Sequence, residues 1–152
     1  MFVRNALAVL AISGVAQLAC ATDSWTQTAT GKDPSDANAT TTEYVVESSI
    51  TKLLGNYRSA FVKTVFSPPV PGMDGRTVDF VISDVRVGCN DFSWGASSKM
   101  AFDTNMVPVM AEIGEFVHTQ PVWTLKDMGL LDRSSTTFKT AKFICSANVR
   151  GY

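Results

Sequence analysis

The stretch TVDFVISDVRVGC, residues 77–89, decides the fold of this chain. Val78, Phe80 and Ile82 are apolar and alternate with a more polar set of side chains, which is the period-two pattern of a β-strand with one wetter face. A glycine then ends the pattern immediately before Cys89. The stretch therefore predicts a long strand that leads into a cysteine.

Shorter strands are predicted on both sides of this one, because runs of β-branched and aromatic residues are separated by Gly, Pro, Asn and Asp. These runs are residues 24–28, 43–50, 57–66, 99–102 and 106–113. We expect residues 68–75, which begin with two prolines, to end the strand before them, since proline cannot donate to a ladder. Pro108 places the last strand at an edge for the same reason. The spacing predicts one antiparallel sheet of about five or six strands.

The hydrophobic period changes near the C-terminus. Ser134 and Ser135 can cap a helix. Phe138, Ala141 and Cys145 follow at spacings of three and four residues, on one stripe of that helix. We therefore predict an α+β fold, in which an antiparallel sheet packs under a C-terminal helix whose buried side carries Cys145.

The N-terminus has the three parts of a secretory signal peptide, which predicts that residues 1–21 are removed. Arg4 supplies positive charge, residues 6–16 are mostly apolar, and the Ala-Cys-Ala triplet at 19–21 matches the cleavage pattern. The apolar run is shorter than the roughly 20 residues that span a bilayer. We expect export to the periplasm, the cell surface or the medium, with no transmembrane span in the mature chain.

A different processing route is available at Cys20. This residue follows Leu18-Ala19, as the lipidated cysteine of an outer-membrane lipoprotein would. Gln17, however, stands where such signals usually carry leucine, so we expect release without a lipid.

The mature chain then divides into two parts. Residues 22–42 are a polar segment with a possible first strand near Trp25, followed by a loop over residues 31–40. Residues 43–152 form the folded domain, which has a common domain size.

Signal cleavage leaves two of the three cysteines, Cys89 and Cys145. In an oxidising compartment two such cysteines most often pair. The loop between them is long, and the chain-entropy model assigns a bridge of this kind about 4 kcal/mol. Two separate buried thiols are the alternative.

Composition and motifs argue against several classes of function. The net charge of −1 offers no basic field for nucleic acid. His118 is the only histidine, so a cluster of histidine metal ligands is impossible, and no G-x-S-x-G motif accompanies it. The acid pairs Glu43/Glu47 and Glu112/Glu115 have spacings typical of solvated side chains. We predict no catalytic residue, no metal site and no cofactor.

Three aromatic residues are the candidates for partner binding: Phe92, Trp94 and Trp123. They lie beside loop-forming residues rather than inside clean strands, and tryptophan is enriched at binding hot spots. Core packing is the alternative role for each of them.

Several short motifs occur in a characteristic order along the mature chain. They are Trp25, Tyr44-Val45, Ser49-Ile50, Phe61-Val62-Lys63-Thr64, the 78–87 strand before Cys89, Trp123, and the 138–144 helix that ends at Cys145. This order resembles the surface-adhesin protein E-like domain family of small exported Gram-negative proteins. The resemblance implies an antiparallel sheet whose C-terminal helix is tethered across one face by a disulfide. It also implies a non-enzymatic role, in adhesion to host matrix proteins or in the cell envelope.

We therefore expect an exported, non-enzymatic protein that binds a host matrix or envelope protein through a partly exposed sheet face, a loop aromatic or a sheet edge. Edge pairing would also allow a homodimer. The alternative is a periplasmic inhibitor or immunity-type protein that blocks an envelope-acting enzyme. A third class, a small hydrolase, predicts that His118→Ala abolishes a measurable activity.

Overall fold

The computed structural model describes four segments of the chain, residues 24–32, 36–72, 75–113 and 129–149. The predicted signal peptide with Cys20, and the residues Glu115, His118 and Trp123, lie outside the described residues.

The described part of the chain is an eight-stranded antiparallel sheet with one α-helix. The elements are β1 (Trp25–Lys32), β2 (Thr40–Val46), β3 (Thr51–Lys52), β4 (Tyr57–Pro71), β5 (Thr77–Gly88), β6 (Ser93–Phe102), β7 (Pro108–Ile113), β8 (Gly129–Leu130) and α1 (Thr136–Ser146). The sheet order is β1-β2-β4-β5-β6-β7, with β3 beside β4 and β8 beside β6. The predicted α+β class is confirmed. The number of strands exceeds the predicted five or six because the sheet includes two very short strands, β3 and β8, of two residues each. Pro108 opens the last strand of the order, so its predicted edge position is also confirmed.

The paired prolines do not end the strand before them, so that prediction is wrong. β4 is 15 residues long and continues to Pro71. Its regular pairing with β5 is lost between Val65 and Val70. Pro68 and Pro69 fall within this irregular interval, where the ladder requires no N–H from them.

Several strand boundaries also differ from the prediction, most of all that of β6, which starts at Ser93 rather than at Lys99. β1 extends to Lys32 and β2 starts at Thr40, so the loop predicted at 31–40 is shorter. The strand predicted over 43–50 is interrupted by a 3-10 turn at Glu47–Ser49. This turn separates β2 from β3 and lets both lie beside β4.

The core lies between α1 and one face of the sheet, which we call the helix face. Its buried side chains include Val45, Val62, Val85, Val87, Ala141 and Ile144. Because side chains of a strand alternate between faces, Val85 and Val87 both point from β5 toward the helix. The stretch that predicted the fold thus lies inside the sheet and supplies part of its core.

The predicted disulfide is present, and the alternative of two separate thiols is wrong. Cys89, directly after β5, is bonded to Cys145 near the end of α1, with 5.5 Å between their Cα atoms. At the other end of the helix, the Ser135 side chain accepts a hydrogen bond from the backbone N–H of Phe138 at 3.1 Å. The helix is therefore capped at its start and covalently held near its end.

The buried stripe of α1 is rotated from the predicted one. Thr140, Ala141 and Ile144 are buried, whereas Phe138 is half-buried. The hydroxyl groups of Thr140 and Thr28 are 2.8 Å apart and share a hydrogen bond. This bond offsets the cost of burying a polar side chain.

Arg58 ties the C-terminal end of the helix to β4. Its Nη1 donates to the backbone oxygens of Ile144 at 2.8 Å and Ala147 at 2.5 Å, carbonyls for which the helix itself supplies no partner. We expect Arg58→Met to lower the free energy of unfolding, measured in urea, by about 2 kcal/mol. Lys52→Met removes an exposed cation opposite Arg58 on β3 and serves as the control. Equal effects of the two substitutions would contradict this role.

Candidate functional site

The sheet face opposite the helix carries aromatic residues around a lysine. We call the group formed by Trp25, Tyr44, Phe61 and Lys63 the aromatic face. Val62 is buried on the helix face, so its neighbours Phe61 and Lys63 point to the opposite side. Tyr44 lies directly across from Lys63 in the register of β2 and β4. The aromatic face is therefore built on two adjacent strands, with Trp25 added from β1.

Lys63 is held between two rings of this face. Its Nζ is 4.9 Å from the ring centroid of Trp25 and 4.9 Å from that of Tyr44. Such a contact stabilises a cation by about 0.5–1 kcal/mol at exposed sites and by more when it is desolvated. Partial burial lowers the pKa of Lys63 from its ordinary value of 10.5, because the ammonium group loses water. The rings keep this amine at a defined position on the sheet.

Phe61 is the exposed member of the aromatic face. Its side chain is 50% exposed although it belongs to a strand inside the sheet. Its backbone N–H donates to Oγ of Ser49 at 2.9 Å, which holds this part of β4 in place. Phe61 and Lys63 are two residues apart on the same side of β4, so the exposed ring lies next to the lysine and its two rings. A large apolar side chain exposed beside other aromatic residues is typical of interaction surfaces.

The predicted binding aromatics lie elsewhere. Phe92 is half-buried against the core, with its ring centroid 4.9 Å from that of Phe138. Trp94 lies inside β6, not beside a loop as predicted, and is half-buried against the core. Trp123 lies outside the described residues. A binding role for these three residues stays a prediction.

The aromatic face is not among the sites predicted from the sequence. A signal for it exists in residues 57–66, where Phe61 and Lys63 fall in the same alternating set. That set is neither fully polar nor fully apolar, which is the pattern of a face that is partly exposed. Trp25 and Tyr44 could be added to it only once the strand order was known.

A second feature lies on the helix face, where the start of α1 leaves part of the sheet uncovered. It is a cleft of about 480 Å³ between the sheet and the first turn of the helix. The sheet residues that line it are Thr41, Glu43, Val62, Thr64, Ser83, Val85, Trp94 and Ala96. The opposite side is formed by Asp132, Ser134, Ser135, Thr136 and Thr137.

Glu43 lines this cleft and is buried, contrary to the expectation of a solvated acid. Its side chain is 3% exposed. Thr137 Oγ1 donates to one carboxylate oxygen, Oε1, at 2.8 Å. Among the residues that the structure describes, the other oxygen, Oε2, has no hydrogen-bond partner. An unsatisfied oxygen of a buried acid is costly.

The rim of the cleft is mainly positive. Lys32, Lys99 and Lys139 line it and are all exposed. Asp132 is the acid at the rim, and its carboxylate accepts hydrogen bonds from N and Oγ of Ser134, each at 2.9 Å. These bonds lower the pKa of Asp132 because they stabilise its charged form. Among the described residues, the cleft thus combines one buried carboxylate with three exposed ammonium groups.

Within the described segments, no group of three or more His, Cys, Asp and Glu side chains has the arrangement needed to hold a metal ion. None of the helices in these segments has the length and apolar character that a membrane span requires.

Comparisons with known proteins add no relative. No protein-family model matches the chain, and neither the curated proteins nor the solved structures yield a significant match. The resemblance to the surface-adhesin protein E-like family therefore stays a prediction.

Proposed function

We propose that this chain is an exported, non-enzymatic protein of the bacterial cell envelope, related to the surface-adhesin protein E-like family, which binds a protein partner through the aromatic face. The observation that carries this proposal is the half-exposed Phe61 beside Lys63, on a strand held inside a sheet. Aromatic side chains with limited freedom lose little entropy on binding, which is why they dominate binding hot spots. The disulfide supports export, because such bonds persist in oxidising compartments.

The chemistry of the aromatic face favours a partner with an acidic and apolar surface. Phe61 offers apolar area, and Lys63 offers an amine whose position is set by the rings of Trp25 and Tyr44. A carboxylate of the partner could approach Lys63 while an apolar side chain covers Phe61. An apolar side chain that becomes buried on binding gives affinity, and a charge beside it sets the orientation of the partner.

The test compares binding of the mature protein and its Phe61→Ser variant. Candidate partners are purified host matrix proteins and envelope proteins identified by pull-down, and affinity is measured by surface plasmon resonance. We expect Phe61→Ser to weaken binding by about tenfold or more, which corresponds to about 1.4 kcal/mol. Leu54→Ser is the matched control. It also replaces an exposed apolar side chain, 82% exposed, but this side chain lies in the turn before β4 and not on the aromatic face. Unchanged affinity of Phe61→Ser would overturn the proposal.

A separate observation favours the inhibitor alternative. The β6–β7 turn presents Met106, 67% exposed, and Val107, 46% exposed. Oδ1 of Asp103 accepts from the backbone N–H groups of Asn105 and Val107, each at 2.9 Å, and so holds the turn in shape. A held turn with an apolar tip suits insertion into an active-site cleft. Capture of a cell-wall hydrolase alone, with binding lost in Met106→Ser and retained in Phe61→Ser, would favour this function.

A further inference from the structure

We infer that the cleft below α1 is a binding site for a small zwitterion, a free amino acid or a short peptide. Its ammonium group would bind Glu43 and its carboxylate would face the lysines of the rim. The cleft and the aromatic face use different residues on opposite sides of the sheet, so this inference is independent of the proposed partner binding.

The buried acid is the first reason for this assignment. Glu43 is 3% exposed and lines the cleft, yet Oε2 has no partner among the described residues. The bond from Thr137 to Oε1 orients the carboxylate without satisfying it. A ligand that brings an ammonium group supplies both a donor and an opposite charge. The ligand would replace the missing partner of this acid, and because Oε2 is itself buried in this structure, binding requires a shift of the Glu43 side chain or of Thr137 above it.

The size and the charge of the cleft are the second reason. Its volume of about 480 Å³ is within the range of small-molecule sites. Hydroxyl groups of Thr41, Thr64 and Ser83 line it and can bind the polar backbone of an amino acid or a peptide. Among the described residues at the entrance, three lysines stand against one acid, Asp132, and this excess of positive charge attracts a negative group. A simple anion would use this rim but would leave Glu43 without a partner.

Binding is tested by calorimetry and NMR titration on the mature, oxidised protein. The probes are free amino acids and dipeptides, each also in an N-acetylated and a C-amidated form, with sulfate as a plain anion. We expect saturable binding of free amino acids, of dipeptides or of both. The class that binds identifies whether the natural ligand is an amino acid or a short peptide. N-acetylation should abolish binding because it removes the ammonium charge, and C-amidation should weaken it. Equal binding of free and N-acetylated forms, binding of sulfate alone, or no saturable binding at all would overturn the inference.

Substitutions then assign the roles of the residues. Glu43→Gln keeps the shape of the side chain, and we expect it to weaken binding of the free forms by about tenfold or more. Lys99→Gln should weaken binding of the free forms but leave that of the C-amidated forms unchanged. Lys52→Gln, an exposed site on β3 away from the cleft, is the control. Unchanged affinity of Glu43→Gln would overturn the inference.

The melting temperature of Glu43→Gln without ligand distinguishes a binding role from a structural one. A neutral amide costs less to bury than a carboxylate, and its oxygen can still accept from Thr137. We therefore expect the melting temperature to stay equal or to rise. A clear fall would indicate that Glu43 serves the fold, and would overturn its assignment to a ligand.

Discussion

Replacing Cys89 and Cys145 together by alanine is expected to lower the free energy of unfolding by about 4 kcal/mol. The two residues are 56 positions apart, and the bridge between them restricts this long loop in the unfolded chain. A domain of this kind typically has about 5–15 kcal/mol of stability in total. We therefore expect the disulfide to supply a large part of the net stability of the domain. Urea unfolding of the wild type and the double variant measures the difference.

Reduction provides the internal control for this experiment. Dithiothreitol should bring the wild type close to the double variant and should leave the variant unchanged. The remaining contacts of the helix, such as the hydrogen bonds from Arg58, are present in both proteins. If the unfolding midpoint of the wild type does not move on reduction, the bridge is not a major source of stability.

The substitution Ile144→Ala is expected to cost about 3 kcal/mol, within the range for truncating a fully buried isoleucine. Ile144 is 0% exposed and packs in the core between α1 and the helix face. Its truncation removes apolar burial and leaves a cavity, which the neighbouring valines can fill only in part. The position also lies next to Cys145, so the disulfide prevents the helix from moving far to close the gap.

The same truncation at an exposed position is the control for Ile144. Leu54→Ala removes a similar number of carbon atoms from a side chain that is 82% exposed. We expect its effect to be below about 0.5 kcal/mol. If Ile144→Ala shows a similarly small change, α1 does not contribute to the core as described.

Much of the fold could be predicted because its signals are local. The alternation in residues 77–89 predicts β5, and Ser135 before a three- and four-residue spacing predicts the start of α1. The disulfide could be predicted because removal of the expected signal peptide would leave two cysteines. The two prolines within β4 do not end the strand, because the cost of a missing N–H depends on whether a partner strand needs it. That need is set by the register with β5.

The candidate sites were less predictable, since each combines residues from separate strands. Glu43 looks like a solvated acid in the sequence, and it is buried because α1 begins above it. Trp25 and Lys63 are far apart in the chain and come together because β1, β2 and β4 are neighbours. No spacing rule within one strand connects them.

The amino-acid order by itself determined the long strands, the helix and the cysteines that can pair. The strands and the helix depend on neighbours in the chain, and the pairing depends on how many cysteines there are. The tertiary structure alone decided which sheet face the helix covers. That choice leaves Phe61 exposed and Glu43 buried, since a side chain on a strand has one of two directions and the packing partner decides which direction meets water.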